Sequence, residues 1–92
     1  MIQSFADSET RVVYLTGKSR RWAHIARLAA RRLQAIDYAG AVEDLKNPPG
    51  NRLEKLKGGR KGQWSIRIND QFRVCFLWDG KDAWEVEIVD YH

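Results

Sequence analysis

Ninety-two residues, 43% hydrophobic and 30% charged with only two prolines, predict one small domain with a thin core and exclude a disordered chain. No apolar run nears the roughly 20 residues of a membrane span, the start Met1-Ile2-Gln3-Ser4 lacks a signal-peptide layout, and one cysteine with two histidines makes neither a disulfide nor the usual structural zinc set. The net charge of +4 is unevenly spread: residues 1–36 and 51–73 are each strongly basic, while residues 37–50 and 74–92 are acidic, so the expectation is a soluble, cytoplasmic, metal-free protein with two cationic blocks suited to phosphates.

Residues 1–5 read as a short strand. Asp7-Ser8-Glu9 supplies caps and early acids for a helix over 8–16, which Gly17 stops. Ser19 can cap a second helix from Arg20 to Tyr38. There Trp22, Ile25, Ala29, Leu33 and Ile36 recur at spacings of three and four and form one apolar stripe. Lys18, Arg20, Arg27 and Arg31 lie mainly off it, as a solvated face or a contact surface for an acidic partner or RNA. Val42-Glu43-Asp44-Leu45 predicts one helical turn, and Asn47-Pro48-Pro49-Gly50 breaks the chain.

Strands follow at about 52–57, 63–68, 72–78 and 84–90. Residues directly opposite in an antiparallel pair share a face, which sets the register. A three-residue turn at Asn69-Asp70-Gln71 puts Ile68 against Phe72, Ile66 against Val74 and Trp64 against Phe76, all apolar. The loop 79–83 then sets Trp78 against Trp84, Phe76 against Val86 and Val74 against Ile88. One face of this meander is the predicted core, covered by the second helix.

On the other face the same register sets Arg67 against Arg73, with Arg73 beside Val89 and Gln71 beside Tyr91. Like charges across a strand pair are unfavourable by about 0.2–1 kcal/mol, a cost an anion lying between them removes. The alternative is that both arginines splay into water or pair with Glu85, Glu87 or Asp90. Lys55, Lys57, Arg60 and Lys61 add cations in a glycine-rich stretch that is not a phosphate-binding P-loop. The ending Asp90-Tyr91-His92 brings a carboxylate, a phenol and an imidazole towards this basic face. Such a set can cleave RNA without metal: a base takes the ribose 2′-hydroxyl proton, the oxygen attacks the adjacent phosphorus, and an acid protonates the departing 5′-oxygen.

The stretches Asn47-Pro48-Pro49-Gly50-Asn51-Arg52-Leu53-Glu54, Leu56-Lys57-Gly58-Gly59-Arg60-Lys61-Gly62-Gln63-Trp64-Ser65-Ile66, Asn69-Asp70-Gln71-Phe72-Arg73 and Val89-Asp90-Tyr91-His92 carry a resemblance. With Met1-Ile2-Gln3-Ser4-Phe5 they make the whole chain resemble the HigB-type host-inhibition toxins of the RelE/ParE superfamily. That resemblance implies a RelE-like α+β fold, with two N-terminal helices packed on an antiparallel sheet of four to five strands. It also implies a ribosome-dependent mRNA endonuclease that leaves a 2′,3′-cyclic phosphate. Its partners would be the ribosome, mRNA and a HigA-type helix-turn-helix antitoxin, with operator DNA reached only through that antitoxin, and no membrane or cofactor. By position, Arg73 would bind the scissile phosphate with Lys57 nearby, and Asp90, Tyr91 and His92 would move protons and position substrate. Arg67, Lys55, Arg60 and Lys61 are expected to bind RNA, and Arg20, Arg27 and Arg31 to meet the antitoxin. Some relatives carry His where Glu54 stands; nearby cations favour a carboxylate's ionised form, so Glu54 is at most a weak base. His92, whose imidazole type titrates near neutrality, is the better candidate, together with Tyr91. The rival functions are a ParE-like, non-nucleolytic inhibitor of DNA gyrase and an RNA-binding module that does not cut.

Overall fold

The computed structural model describes residues 1–91. Helix α1 covers Ser8–Thr16 as predicted. The Asp7 carboxylate accepts the Thr10 N–H at 2.6 Å, and Gly17, at φ +70°, ends the helix by donating its N–H to the Val13 carbonyl. Helix α2 runs only over Ala26–Tyr38, shorter than the predicted 20–38. Ser19 does cap, since its Oγ accepts the Trp22 N–H at 3.0 Å, but residues 20–25 form turns. A helix begun at Arg20 would leave only Lys18 and Ser19 to redirect the chain after Gly17. The turn also buries Trp22 and Ile25, so the whole predicted stripe of Trp22, Ile25, Ala29, Leu33 and Ile36 still lies in the core.

A 3₁₀ turn at Val42–Lys46 follows, then another at Pro49–Asn51 after a cis Asn47–Pro48 bond. Strand β1 is Glu54–Lys55, far shorter than 52–57. Arg52 is left-handed at φ +46° and a further 3₁₀ turn starts at Gly58, so the extended chain is cut at both ends. Strands β2 (Gln63–Arg67), β3 (Phe72–Trp78) and β4 (Ala83–Asp90) complete a four-stranded antiparallel sheet in the order β1-β2-β3-β4. Residues 1–6 run parallel to the outer edge of β4, bridging Ile2 to Ala83 and Phe5 to Val86. The predicted first strand therefore survives as two isolated bridges.

The β2–β3 register is as predicted: Trp64 faces Phe76, Ile66 faces Val74 and Arg67 faces Arg73. The Asn69 side chain closes the turn by accepting the Gln71 and Phe72 N–H groups, both at 2.8 Å. Between β3 and β4 the register holds from Phe72–Asp90 to Cys75–Glu87 and then slips by one, so Trp84 faces Leu77 and Ala83 faces Trp78. The predicted Trp78–Trp84 pair is thereby corrected, while Phe76 and Val86 lie at the irregular step itself. The cause is a bulge in which Glu85 takes φ +52° and donates its N–H to Ser4 Oγ at 2.8 Å. Trp84 consequently leaves the core side and is 40% exposed, while Ala83 is fully buried in its place.

The core joins Val13 and the α2 stripe to Ile66, Ile68, Phe72, Val74, Phe76, Val86 and Ile88. Each buried Val, Leu, Ile or Phe of this set contributes about 1.5–3 kcal/mol by burial. The helices thus cover one face of the sheet and leave the other for chemistry.

Candidate functional site

Two transverse rows of side chains organise the uncovered face. Glu54, Ser65, Cys75 and Glu87 form one, and Arg67, Arg73 and Val89 the next. Arg73 stands at their junction. Its Nε donates to the buried Ser65 Oγ at 2.8 Å, and its Nη2 donates to the Arg52 carbonyl at 2.7 Å. The Glu54 carboxylate lies 3.7 Å away, and the Tyr91 ring packs with its centroid 5.7 Å from the guanidinium carbon. Arg67 pairs with Asp70 across the turn, while its carbonyl accepts from Arg32 Nε at 2.9 Å. Arg32 is held below the usual arginine range, first by burial and then by repulsion from Arg67.

Arg52, Arg67, Arg73, Asn69, Asp70 and Tyr91 line one open cavity of about 310 Å³. The two register-paired arginines therefore do share a cleft, where Arg67 pairs with Asp70 and Arg73 with Glu54. Both carboxylates are exposed, Asp70 fully and Glu54 by 60%. Ion pairs to carboxylates this exposed contribute little net stability, so neither acid is a firm occupant of the cleft.

The remaining predicted residues divide among other places. Arg60 donates to Glu87 at 2.6 Å and to Gln63 at 3.0 Å, and its pKa is raised above the usual range chiefly by the Glu87 hydrogen bond. It is bound into the face rather than presented as an open cation. Lys55 shares the register row of Trp64, on the helix-facing side, with its ammonium 5.5 Å from the Trp64 ring centroid. With Leu56, Lys57 and Lys61 it lines a second, largely apolar cavity of about 440 Å³, not the arginine cleft. The register pairs Asp90 with Phe72, the row next to the one that carries Arg73, and Gln71 Nε2 donates to it at 3.1 Å. Tyr91 reaches Arg73, Asp90 takes the alternate side of the strand, and His92 lies outside the described residues. Arg27 and Arg31 line a groove with Lys18 between α1 and α2, and Arg20 lines the adjoining one with Val12. These sit in the helical layer, across the sheet from Arg73.

Arg52 and Ser65 escaped the sequence reading. Ser65 was legible in principle, as a small polar residue beside the Arg67–Arg73 pair on the same face. Arg52 was not, because its left-handed backbone follows no local turn signature. Cys75, fully buried between Ser65 and Glu87, has its thiol pushed up to about 11 by burial against the opposing pull of Arg60 and Arg73. It is a packing residue. Among the described residues no three His, Cys, Asp or Glu side chains gather as a metal set, and no helix is long and apolar enough to cross a membrane.

The fold, two helices on one face of an antiparallel meander, is shared with a chain of the YoeB–YefM complex from Staphylococcus aureus. The TM-score is 0.62 at 22% identity, covering 100% of this chain and 98% of that one. The chain belongs to the family of RelE-like toxins of the type II toxin-antitoxin system HigB, whose profile matches residues 3–92. It is 52% identical over 48 residues to Toxin HigB-1 of Vibrio cholerae, covering 52% of this chain and 50% of that protein. It is 41% identical over 61 residues to Endoribonuclease HigB of Proteus vulgaris, covering 66% and 65%. These matches thus span half to about two thirds of the curated relatives' length.

Proposed function

We propose that this toxin is an endoribonuclease that cuts mRNA on the ribosome by attack of the ribose 2′-hydroxyl, with no metal in the reaction. The cleft holding Arg67 and Arg73 carries the reading. The scissile phosphate displaces the exposed Asp70 and Glu54 carboxylates and lies between the two guanidinium groups. Arg73 enters the reaction already oriented, because Ser65 Oγ and the Arg52 carbonyl fix its plane. Its remaining N–H groups then meet the charge that grows on the phosphoryl oxygens as the 2′-oxygen attacks, without reorganisation at that moment. Tyr91, packed on Arg73, and the neighbouring His92 are the proton-transfer groups, Asp90 positions the tail, and Glu54 is at most a weak base. Lys55, Lys57 and Lys61 steer the flanking strand from their separate cavity.

A HigA-type antitoxin is the proposed partner, meeting Arg20, Arg27 and Arg31 in the helical layer and carrying the contact with operator DNA. The Proteus vulgaris relative's name as an endoribonuclease supports the activity, and the family's toxin-antitoxin description supports the partner. The deciding experiment incubates purified protein with translating ribosomes and maps message ends. New ends bearing 2′,3′-cyclic phosphate are expected. Intact messages accompanied by inhibited DNA gyrase would replace this reading with the ParE-like one, and RNA retained but uncut would leave a binding module.

A further inference from the structure

Three arginines line the phosphate cleft, and they are not equivalent. Arg67 is paired with Asp70 and Arg73 faces Glu54. Arg52 is exposed and, among the described residues, its guanidinium has no carboxylate partner. Its backbone is unusual as well: at φ +46° it is, with Glu85, one of two described non-glycine residues in the left-handed region, a conformation that strains an ordinary side chain. That conformation turns its carbonyl onto Arg73 Nη2 at 2.7 Å while its side chain lines the same cleft. The preceding residue anchors the arrangement. Asn51 is buried, and its amide donates to the Leu45 and Asn47 carbonyls, both at 3.3 Å.

We propose that Arg52 is a substrate-binding residue that grips a second phosphodiester of the RNA strand, next to the one held by Arg67 and Arg73. This deepens the nuclease reading and rests on it. An uncompensated guanidinium beside two others repels them until polyanion arrives, so its interaction is gained only when backbone phosphate fills the cleft. Strain at Arg52 is retained because one residue then serves twice, through its carbonyl and through its side chain.

Arg52→Gly separates the two roles. Glycine adopts φ +46° without strain, keeps the carbonyl on Arg73 and removes only the cation. The probe is a single-stranded 2′-O-methyl oligoribonucleotide, which cannot be cut, titrated against the full chain over a range of salt. Arg52→Gln and Arg52→Gly are each expected to weaken binding severalfold and to flatten the slope of log affinity against log salt by about 0.7, the contribution of one single-strand phosphate contact. Arg52→Gly is expected to do so with a melting temperature equal to or above that of the parent. Arg20→Gln, the same charge removed from the helical layer, is expected to keep the parental slope. An unchanged slope in either Arg52 variant, an equal flattening in Arg20→Gln, or a loss that tracks a fall in melting temperature overturns the assignment. Arg73→Ala tells this failure from that of the nuclease reading. If Arg73→Ala weakens binding and the Arg52 variants do not, only Arg52 loses its role; if the parent binds no better than Arg73→Ala, the whole cleft reading falls and takes Arg52 with it.

Discussion

Arg73 is fixed by three separate parts of the chain: Ser65 on β2, the carbonyl of Arg52 ahead of β1, and the ring of Tyr91 beyond β4. A preorganised charge of this kind holds the ground-state phosphate and gains further as charge grows in the transition state. Arg73→Ala is therefore expected to slow message cleavage on ribosomes by about 10²–10³-fold, the cost of one lost oxyanion donor. Cys75 makes the opposite case of a polar group that packing silences. Its raised thiol pKa keeps it protonated at neutral pH, so thiol reagents at pH 8 are expected to label it only after denaturation. Because the folded value, about 11, lies above the reference of 9.0, this group's stabilising contribution is complete below pH 9 and is lost as pH rises towards 11. Thermal melts of the parent and Cys75→Ala between pH 8 and 11 test the sign: the parent should lose stability more steeply.

At the scale of elements, the bulge in β4 decides which side of the sheet Trp84 occupies. Glu85 holds φ +52°, a region costly for a residue branched at Cβ. Glu85→Val is expected to lower stability by about 1–3 kcal/mol in denaturant unfolding, while Glu85→Gly leaves it equal or higher. If valine is tolerated as well as glycine, the bulge is not what fixes the local register. The helical elements follow a different logic. The α1 boundaries come from residues adjacent in sequence, Asp7 and Gly17, and were readable there. The start of α2 was not, because Ser19 caps a turn as readily as a helix. What settles it is the need to redirect the chain between two helices that both pack on one sheet.

Considered whole, the molecule separates its two basic blocks. The arginine cleft opens on the bare face of the sheet, and the Lys18, Arg27 and Arg31 groove lies in the helical layer on the other side. Charge reversal at Arg27 and Arg31 is accordingly expected to weaken antitoxin binding at least tenfold and to leave cleavage by free toxin unchanged. Calorimetry with the antitoxin and cleavage mapping with the same variant check both halves, and a parallel loss of cleavage would contradict the separation. Apolar alternation in β2 and β3 was enough to pair Arg67 with Arg73 from the chain alone, since those strands are joined by a three-residue turn and a slip would expose every core side chain. The stripe on α2 was legible for the same reason, a period enforced by burial on one side. Lys55 and Arg60 were expected among the RNA-binding cations and Asp90 in the proton-transfer tail, yet Lys55 falls on the helix-facing row, Arg60 is held by Glu87, and Asp90 pairs with Phe72. Local periodicity and turn chemistry thus determined α1, the apolar stripe of α2, the β2–β3 register and the arginine pair. The bulge, the left-handed Arg52 and the sorting of cations between two cavities were decided only by tertiary contacts: Ser4 meets Glu85 and Arg52 meets Arg73 across stretches of chain that no local pattern spans.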